Sequence, residues 1–267
     1  MIVIDPAFQP AFYRLGLATY EAITCYFGAV SLPPKNRTFV SLHSLSQPPD
    51  AGPVLDVYYK HYHYKSPAWS FIGRSSKPRR EFENYEVFAR LGLPTVQRVA
   101  FGEARDRLGR LRGAFIITRA IPEAMTLREL FQSRGPLLDR NTRLLLFRQL
   151  AAMTRRLHDA GFCHNDLVWR NLLVTRPAPD APRLWWIDCP RGRFVHWPFS
   201  RRRKRIKDLA SSYKSAQRFC HRTDQLRLIL FYRGISKLDQ ATKTLIRDVL
   251  AFGRRRWPED WDLKSLI

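Results

Sequence analysis

Two kinds of hydrophobic periodicity divide the chain near residue 121. Before that point the apolar positions fall in short runs rich in β-branched and aromatic types, Ile23 to Phe27, Thr38 to Leu42, Val54 to Tyr64 and Ala114 to Thr118, which predict strands. The turn-forming clusters SLPPKN (31–36) and QPPDAGP (47–53) predict antiparallel hairpins. One helix interrupts the strands. Lys77 to Leu91 carries Phe82, Tyr85, Phe88 and Ala89 on one stripe and stops at Gly92, with Pro94 beyond. After residue 121 the repeat is helical: Thr126 to Ser133, then Thr142 to Ala160 with Leu145, Leu146, Leu150, Met153 and Leu157 on one face and Gly161 at its end. Two short apolar strands follow, Leu172 to Val174 and Leu184 to Ile187, and the remainder is helical with basic outer faces. A small mostly-β lobe over residues 1–120 and a larger mostly-α lobe over 121–267 make an α+β arrangement, whose seam is a favoured place for a ligand.

Composition supports packed lobes. Of the 267 residues, 45% are hydrophobic and 13% aromatic, which excludes wholesale disorder. The cysteines, Cys25, Cys163, Cys189 and Cys220, form no CxxC pair, so neither a disulfide framework nor a structural zinc site is expected. The opening MIVIDPAFQP has no export-signal pattern, and the apolar stretch Leu15 to Val30 is short and broken by Glu21, so a cytoplasmic chain without a membrane span is expected. Charge changes the picture more. The formal net charge is +23, and residues 191–267 hold 20 basic against 7 acidic side chains, densest over Arg201, Arg202, Arg203, Lys204, Arg205 and Lys207. Such a run is either a solvated face or an anion-binding surface for phosphates, nucleic acid or acidic lipid.

Candidate chemistry concentrates in CHNDLVWRNLLV (163–174) and LWWIDCPRG (184–192). Asp166 lies in a polar turn before one short strand, and Asp188 ends the other. Phosphoryl transfer assisted by a divalent cation needs a carboxylate to orient the attacking hydroxyl, and a carboxylate plus an amide oxygen to hold the cation on nucleotide phosphates. Asp166, Asn171 and Asp188 are the right types at suitable separations.

The segment HNDLVWRN (164–171) resembles the catalytic loop of protein-kinase-like phosphotransferases, with IDCP (187–190) in the place of their metal-binding Asp-Phe-Gly. Among these the chain is most similar to the bacterial lipopolysaccharide kinase family of Kdo kinases and core heptose kinases, over about residues 20–230. The resemblance extends to VYYKHYHY (57–64), where Lys60 takes the position of the phosphate-contacting lysine, and to RREFENYEVFARLGLPT (79–95), whose Glu81 is its expected ion-pair partner, with Glu83 as rival. KDLASSY (207–213) resembles the helix start whose Asp208 braces the catalytic loop.

The resemblance implies a two-lobed protein-kinase-like fold that binds ATP and Mg²⁺. In it Lys60, held by Glu81, orients the phosphates, Asn171 and Asp188 hold the metal, and Asp166 accepts the proton of a sugar hydroxyl on the lipopolysaccharide inner core. Adenine is expected near Arg119–Ile121. His164 is expected as a brace hydrogen-bonded near Asp188. No GxGxxG is present, so Gly28, Ser31 and Lys35 or Arg37 are the expected phosphate-covering residues. Cys189 and Pro190 replace Phe and Gly, and there is no Ala-Pro-Glu, which disfavours a protein substrate and leaves a glycolipid hydroxyl. The expected setting is peripheral, at the anionic inner face of the inner membrane, without specific nucleic acid and with the oligomeric state open. A soluble small-molecule kinase of the aminoglycoside or choline type, and a non-catalytic scaffold, are the alternative readings.

Overall fold

A computed structural model describes residues 1–28, 38–45, 55–175 and 181–260. They form two compact units, Met1–Val87 with Val96–Ile121, and Phe88–Thr95 with Pro122–Ile267. The element order is β1 (Ile2–Ile4), α1 (Gln9–Arg14), α2 (Tyr20–Tyr26), β2 (Thr38–Leu45), β3 (Leu55–Ala68), α3 (Lys77–Arg90), β4 (Arg98–Arg105), β5 (Leu111–Arg119), β6 (Met125–Thr126), α4 (Leu127–Arg134), α5 (Arg140–Asp159), β7 (Phe162–Cys163), β8 (Leu172–Thr175), β9 (Arg183–Trp186), β10 (Arg193–Phe194), α6 (Pro198–Phe219), α7 (Arg222–Arg233) and α8 (Gln240–Arg256).

The first unit is built on an antiparallel sheet in the order β1-β4-β5-β3-β2. Alternation along β3 sends Val57, Tyr59 and His61 to one face and Tyr58, Lys60 and Tyr62 to the other. The first face carries the core, in which Tyr59 and Phe115 pack with Phe8, Phe12, Leu17, Ile23 and Phe27 of the N-terminal segment. That segment is therefore held on the sheet by its own apolar stripe.

The expected strand Ile23–Phe27 is instead the end of α2. Thr19 caps the helix by accepting from the Ala22 N–H at 3.1 Å, and Ile23 and Phe27, one turn apart, point to the core. Gly28, with φ +68, supplies the left-handed residue that closes it, outside any hairpin. Ser31, Lys35 and Arg37 lie outside the described residues. Strand β4 was not legible because Gly102 breaks its apolar run, and that glycine has a packing reason. A Cβ there would stand 2.4 Å from the Phe115 ring and 3.0 Å from the Tyr20 ring.

In the second unit, α4 starts with a capping box between Thr126 and Glu129, and Asp139 caps α5 by accepting from the Thr142 N–H at 2.9 Å. α5 buries Leu146, Leu150, Met153 and Leu157. β6, β8 and β9 form a three-stranded sheet and β7 and β10 a two-stranded one. Phe88–Thr95 joins this unit because Phe88 is buried against Trp186, while the Trp186 N–H donates to the Pro94 carbonyl at 2.9 Å and the Thr95 hydroxyl to the Trp186 carbonyl at 3.1 Å.

Overpacking a closed core costs about 1–3 kcal/mol. Gly102→Ala is expected to lower the stability of the first unit by that amount, read as a drop in urea midpoint, because the Phe115 ring has no open space to enter.

Candidate active site

In the first unit the Lys60 ammonium lies 3.2 Å from Glu81 Oε2. The pair sits on the sheet face opposite the core described above, and its environment is unusually well furnished. Glu81 is 2% exposed and also accepts from the Tyr85 hydroxyl at 2.7 Å and the Tyr62 hydroxyl at 3.3 Å. The Tyr62 ring in turn lies 5.3 Å from the Lys60 nitrogen. A buried carboxylate needs this number of donors to offset its desolvation. Glu83, the rival, is half-exposed and pairs with Arg79 on the surface at 2.9 Å. The choice follows from helix phase, since Glu81 and Tyr85 are one turn apart on the side of Lys60. Tyr62 and Tyr85 were missed as partners because an aromatic on an apolar stripe reads as core. Behind the sheet, burial pushes the His61 imidazole down to about 4, so that it stays neutral.

In the second unit the loop between β7 and β8 is organised by Asp208 of α6. Its carboxylate, fully buried, accepts from the His164 N–H at 2.8 Å and the Asn165 N–H at 2.7 Å, with His158 Nε2 at 3.3 Å. Two successive backbone donors pointing at one carboxylate impose the loop's curvature, and Asn165 accordingly adopts φ +64, a conformation asparagine tolerates. The Asn165 side chain then donates to the carbonyls of Cys163 and Arg191, both at 3.1 Å, tying the loop to the segment after Asp188. Nothing in the sequence marked Asn165 beyond its place inside the His-x-Asp motif.

Past this bend, Asp166 is half-exposed, with Arg170 Nη2 3.9 Å from its carboxylate. Asn171 is buried and donates its amide N–H to the Asp166 carbonyl at 2.9 Å, so its amide oxygen is the group it can present to a cation. The Ile187 N–H donates to the Asn171 carbonyl at 3.1 Å, which places Asp188 directly beyond that link, with φ +54. A non-glycine residue held at positive φ stores about 1–3 kcal/mol and is commonest where geometry serves function. A carboxylate and an amide oxygen are hard donors of the kind Mg²⁺ takes, so the donor set fits that ion.

His164 departs from its expected hydrogen bond. It is fully buried, both ring nitrogens lack hydrogen-bond partners, and the ring lies between Phe88, at a centroid distance of 6.2 Å, and Trp186, at 5.1 Å. Burial depresses its pKa despite the opposing charges of Asp208, Asp166 and Asp188, so the ring is neutral and acts as an aromatic spacer. Burial likewise pushes the Cys163 thiol up to about 12, so it offers no thiolate, and Cys189 is fully buried.

Replacing Asp208 by Asn would turn an amide NH₂ toward one of the two loop N–H groups and leave it unsatisfied. Asp208→Asn is expected to cost about 3 kcal/mol, measured by equilibrium unfolding, with greater hydrogen exchange at the His164 and Asn165 amides. Unchanged protection there would contradict the bracing role.

Comparison with known proteins places this geometry. The family model "Lipopolysaccharide kinase (Kdo/WaaP) family" matches residues 55–232. Two 3-deoxy-D-manno-octulosonic acid kinases are similar. One from Haemophilus influenzae is 30% identical over 138 residues, 48% of this chain and 54% of that protein. One from Actinobacillus succinogenes is 30% identical over 143 residues, 50% and 56% of the two chains. The chain thus spans about half the length of the curated relatives it matches. A solved structure described as WaaP in complex with acyl carrier protein superposes with a TM-score of 0.65 at 22% identity, covering 98% of this chain and all of that one, which shows the α+β, kinase-like fold. With a family model spanning both β3 and the loop between β7 and β8, the chain belongs to the lipopolysaccharide kinase (Kdo/WaaP) family.

Proposed function

We propose that the protein is an ATP-dependent phosphotransferase whose acceptor is a sugar hydroxyl, on heptose or Kdo, of the lipopolysaccharide inner core. The observation that carries this reading is the braced loop: Asp208 fixes the backbone at His164 and Asn165, and Asn171 fixes the carbonyl of Asp166, so that a half-exposed carboxylate is held in one place. Asp166 accepts the hydroxyl proton as the acceptor oxygen attacks the γ-phosphorus and the bond to the β–γ bridging oxygen breaks to release ADP, a role that depends on positioning more than on basicity. Lys60, paired with Glu81, binds the α- and β-phosphates. Asn171 and Asp188 would hold Mg²⁺, which when bound offsets phosphate charge. Adenine is assigned to the Arg119–Ile121 backbone. There the N–H groups of Arg119 and Ala120 already donate to the carbonyls of Gln97 and Asp56, so the base would meet carbonyls and Ile121.

The acceptor assignment draws on the named relatives and on charge. Among the described residues no helix is long and apolar enough to cross a membrane, so access to a glycolipid would be peripheral. From residue 189 to 207 there is no acidic side chain, and Trp197 and Phe199 are 78% and 92% exposed beside the exposed Arg202 and Arg203. Aromatic rings with flanking cations suit the interface of an anionic bilayer. Acyl carrier protein, which accompanies the solved WaaP, is a candidate protein partner.

Two measurements test these assignments. With purified protein, ATP and lipopolysaccharide core as acceptor, Asp166→Ala and Asp188→Ala are each expected to lower phosphate transfer by at least about 10²-fold. Full transfer by either variant, or transfer only to a soluble amino alcohol, would overturn the reading. In sedimentation with vesicles, phosphatidylglycerol is expected to bind the protein and phosphatidylcholine to leave it in solution. Joint replacement of Trp197 and Phe199 by Ser is expected to weaken binding at least about tenfold, and equal binding by that variant would remove the patch from the proposal.

A further inference from the structure

Helix α6 carries Ser211, Ser212 and Ser215 in its interior, where serine is a poor helix former because its hydroxyl competes for backbone groups. Ser211 makes the ordinary use of such a hydroxyl and turns it back to the Lys207 carbonyl at 2.9 Å. The other two meet one residue of the loop between β7 and β8. Ser212 accepts from the Trp169 indole N–H at 3.3 Å, and Ser215 accepts from the Trp169 backbone N–H at 3.2 Å. Asp208, Ser212 and Ser215 follow the i, i+4, i+7 spacing of one helix face. That face holds the loop twice, at His164 and Asn165 through the carboxylate and at Trp169 through the serines.

Trp169 is fully buried, although it belongs to a loop. Its ring packs on Phe131 of α4 at 4.9 Å, Phe147 of α5 at 6.3 Å and Phe219 of α6 at 6.3 Å, centroid to centroid. It opens a single tight helical turn, Trp169–Asn171, whose first N–H has no acceptor inside the turn, and Ser215 supplies one from outside. The turn closes with the Asn171 N–H donating to the Val168 carbonyl at 2.9 Å. Asn171 then donates its side-chain amide to the Asp166 carbonyl at 2.9 Å, and its own carbonyl accepts from the Ile187 N–H at 3.1 Å, one residue before Asp188. A shift of this turn would therefore carry the Asn171 amide oxygen and the link to Asp188 with it.

We infer that Ser212 and Ser215 are positioning residues for cation binding: acting through Trp169, they set the place of the Asn171 amide oxygen, which with Asp188 would hold Mg²⁺. The inference rests on the phosphotransferase reading above and gives the loop two supports with separate tasks. Asp208 sets the backbone ahead of Asp166, and the serines set the turn behind it. Mg²⁺ takes near-ideal octahedral geometry, so a support that never touches the ion still governs affinity by keeping its ligands in place.

The test titrates Mn²⁺, a paramagnetic stand-in for Mg²⁺, into the full-length protein holding a non-hydrolysable ATP analogue. Free ion is read by electron paramagnetic resonance, no acceptor is present, and a protein-free titration supplies the nucleotide's own share. Ser212→Ala/Ser215→Ala removes both hydroxyls and inserts the best helix former, so α6 stays helical. This variant is expected to need about tenfold more Mn²⁺ for half-occupancy, while Ser215→Thr, which keeps the hydroxyl, stays close to the wild type. In an Asn171→Ala background the same two alanines are expected to add nothing, because the residue they act through is gone. An unchanged Mn²⁺ requirement, a Ser215→Thr protein as impaired as the double variant, or an equal penalty in both backgrounds would overturn the inference. Hydrogen exchange without any ligand checks the cause. Protection is expected to fall at the Trp169 and Asn171 amides and to persist at His164 and Asn165, and equal loss at all four would deny the serines a separate task. This Mn²⁺ pattern without phosphate transfer to any glycolipid would sink the acceptor reading and leave the inference standing, whereas no Mn²⁺ binding by the wild type overturns the cation assignment and the inference together.

Discussion

The buried carboxylate of Asp208 is the constraint on which the second unit turns. Removing an ionised carboxylate from water is unfavourable unless charged-group hydrogen bonds, each worth about 1.5–3 kcal/mol, replace the lost solvation. Asp208 finds them in the backbone of the very loop that carries Asp166. The exchange is mutual: α6 can bury an acid only because the loop curves to present two N–H groups, and the loop keeps that curve only because the acid is there. From this bend follow the left-handed Asn165, its clamp on the carbonyls of Cys163 and Arg191, and the link from Asp166 to Asn171.

The first unit solves a related problem at lower cost. Lys60 retains 18% side-chain exposure, while Glu81 is almost fully enclosed and shared with two tyrosine hydroxyls. The ion pair is thus anchored on the acid's side, while the lysine keeps part of its surface exposed. The core on the opposite face, filled partly by the N-terminal helices, packs β3 from the side away from Lys60.

Surface charge and interior packing are connected through α6. Its first turns carry the arginine run next to exposed aromatics, and its middle holds Asp208. One helix therefore joins the basic surface run to the acid that holds the loop of Asp166. The net charge of +23 is consistent with an enzyme that meets polyanionic partners, and nothing in that run resembles a nucleic-acid reading motif.

Much was legible in the chain itself. Helical periodicity with capping residues located α3, α4 and α5, because amphipathic stripes and N-caps act over one or two turns. The order and spacing of Lys60, Glu81, His164, Asp166, Asn171, Asp188 and Asp208 carried the resemblance to a phosphotransferase family. What sequence could not decide were matters of phase and long-range packing. Ile23 to Phe27 reads equally as a strand or as one face of a helix, and only contact with Tyr59 and Phe115 selects the helix. Gly102 hides a strand whose reason for glycine is a ring from the neighbouring strand. His164 carries two ring nitrogens that a motif would assign to hydrogen bonds, yet Phe88 and Trp186 enclose it as an aromatic. Motif residues are recognisable locally because chemistry demands particular groups at short spacings. Their partners are set by which elements pack together across tens to hundreds of residues, and that is decided by the tertiary structure alone.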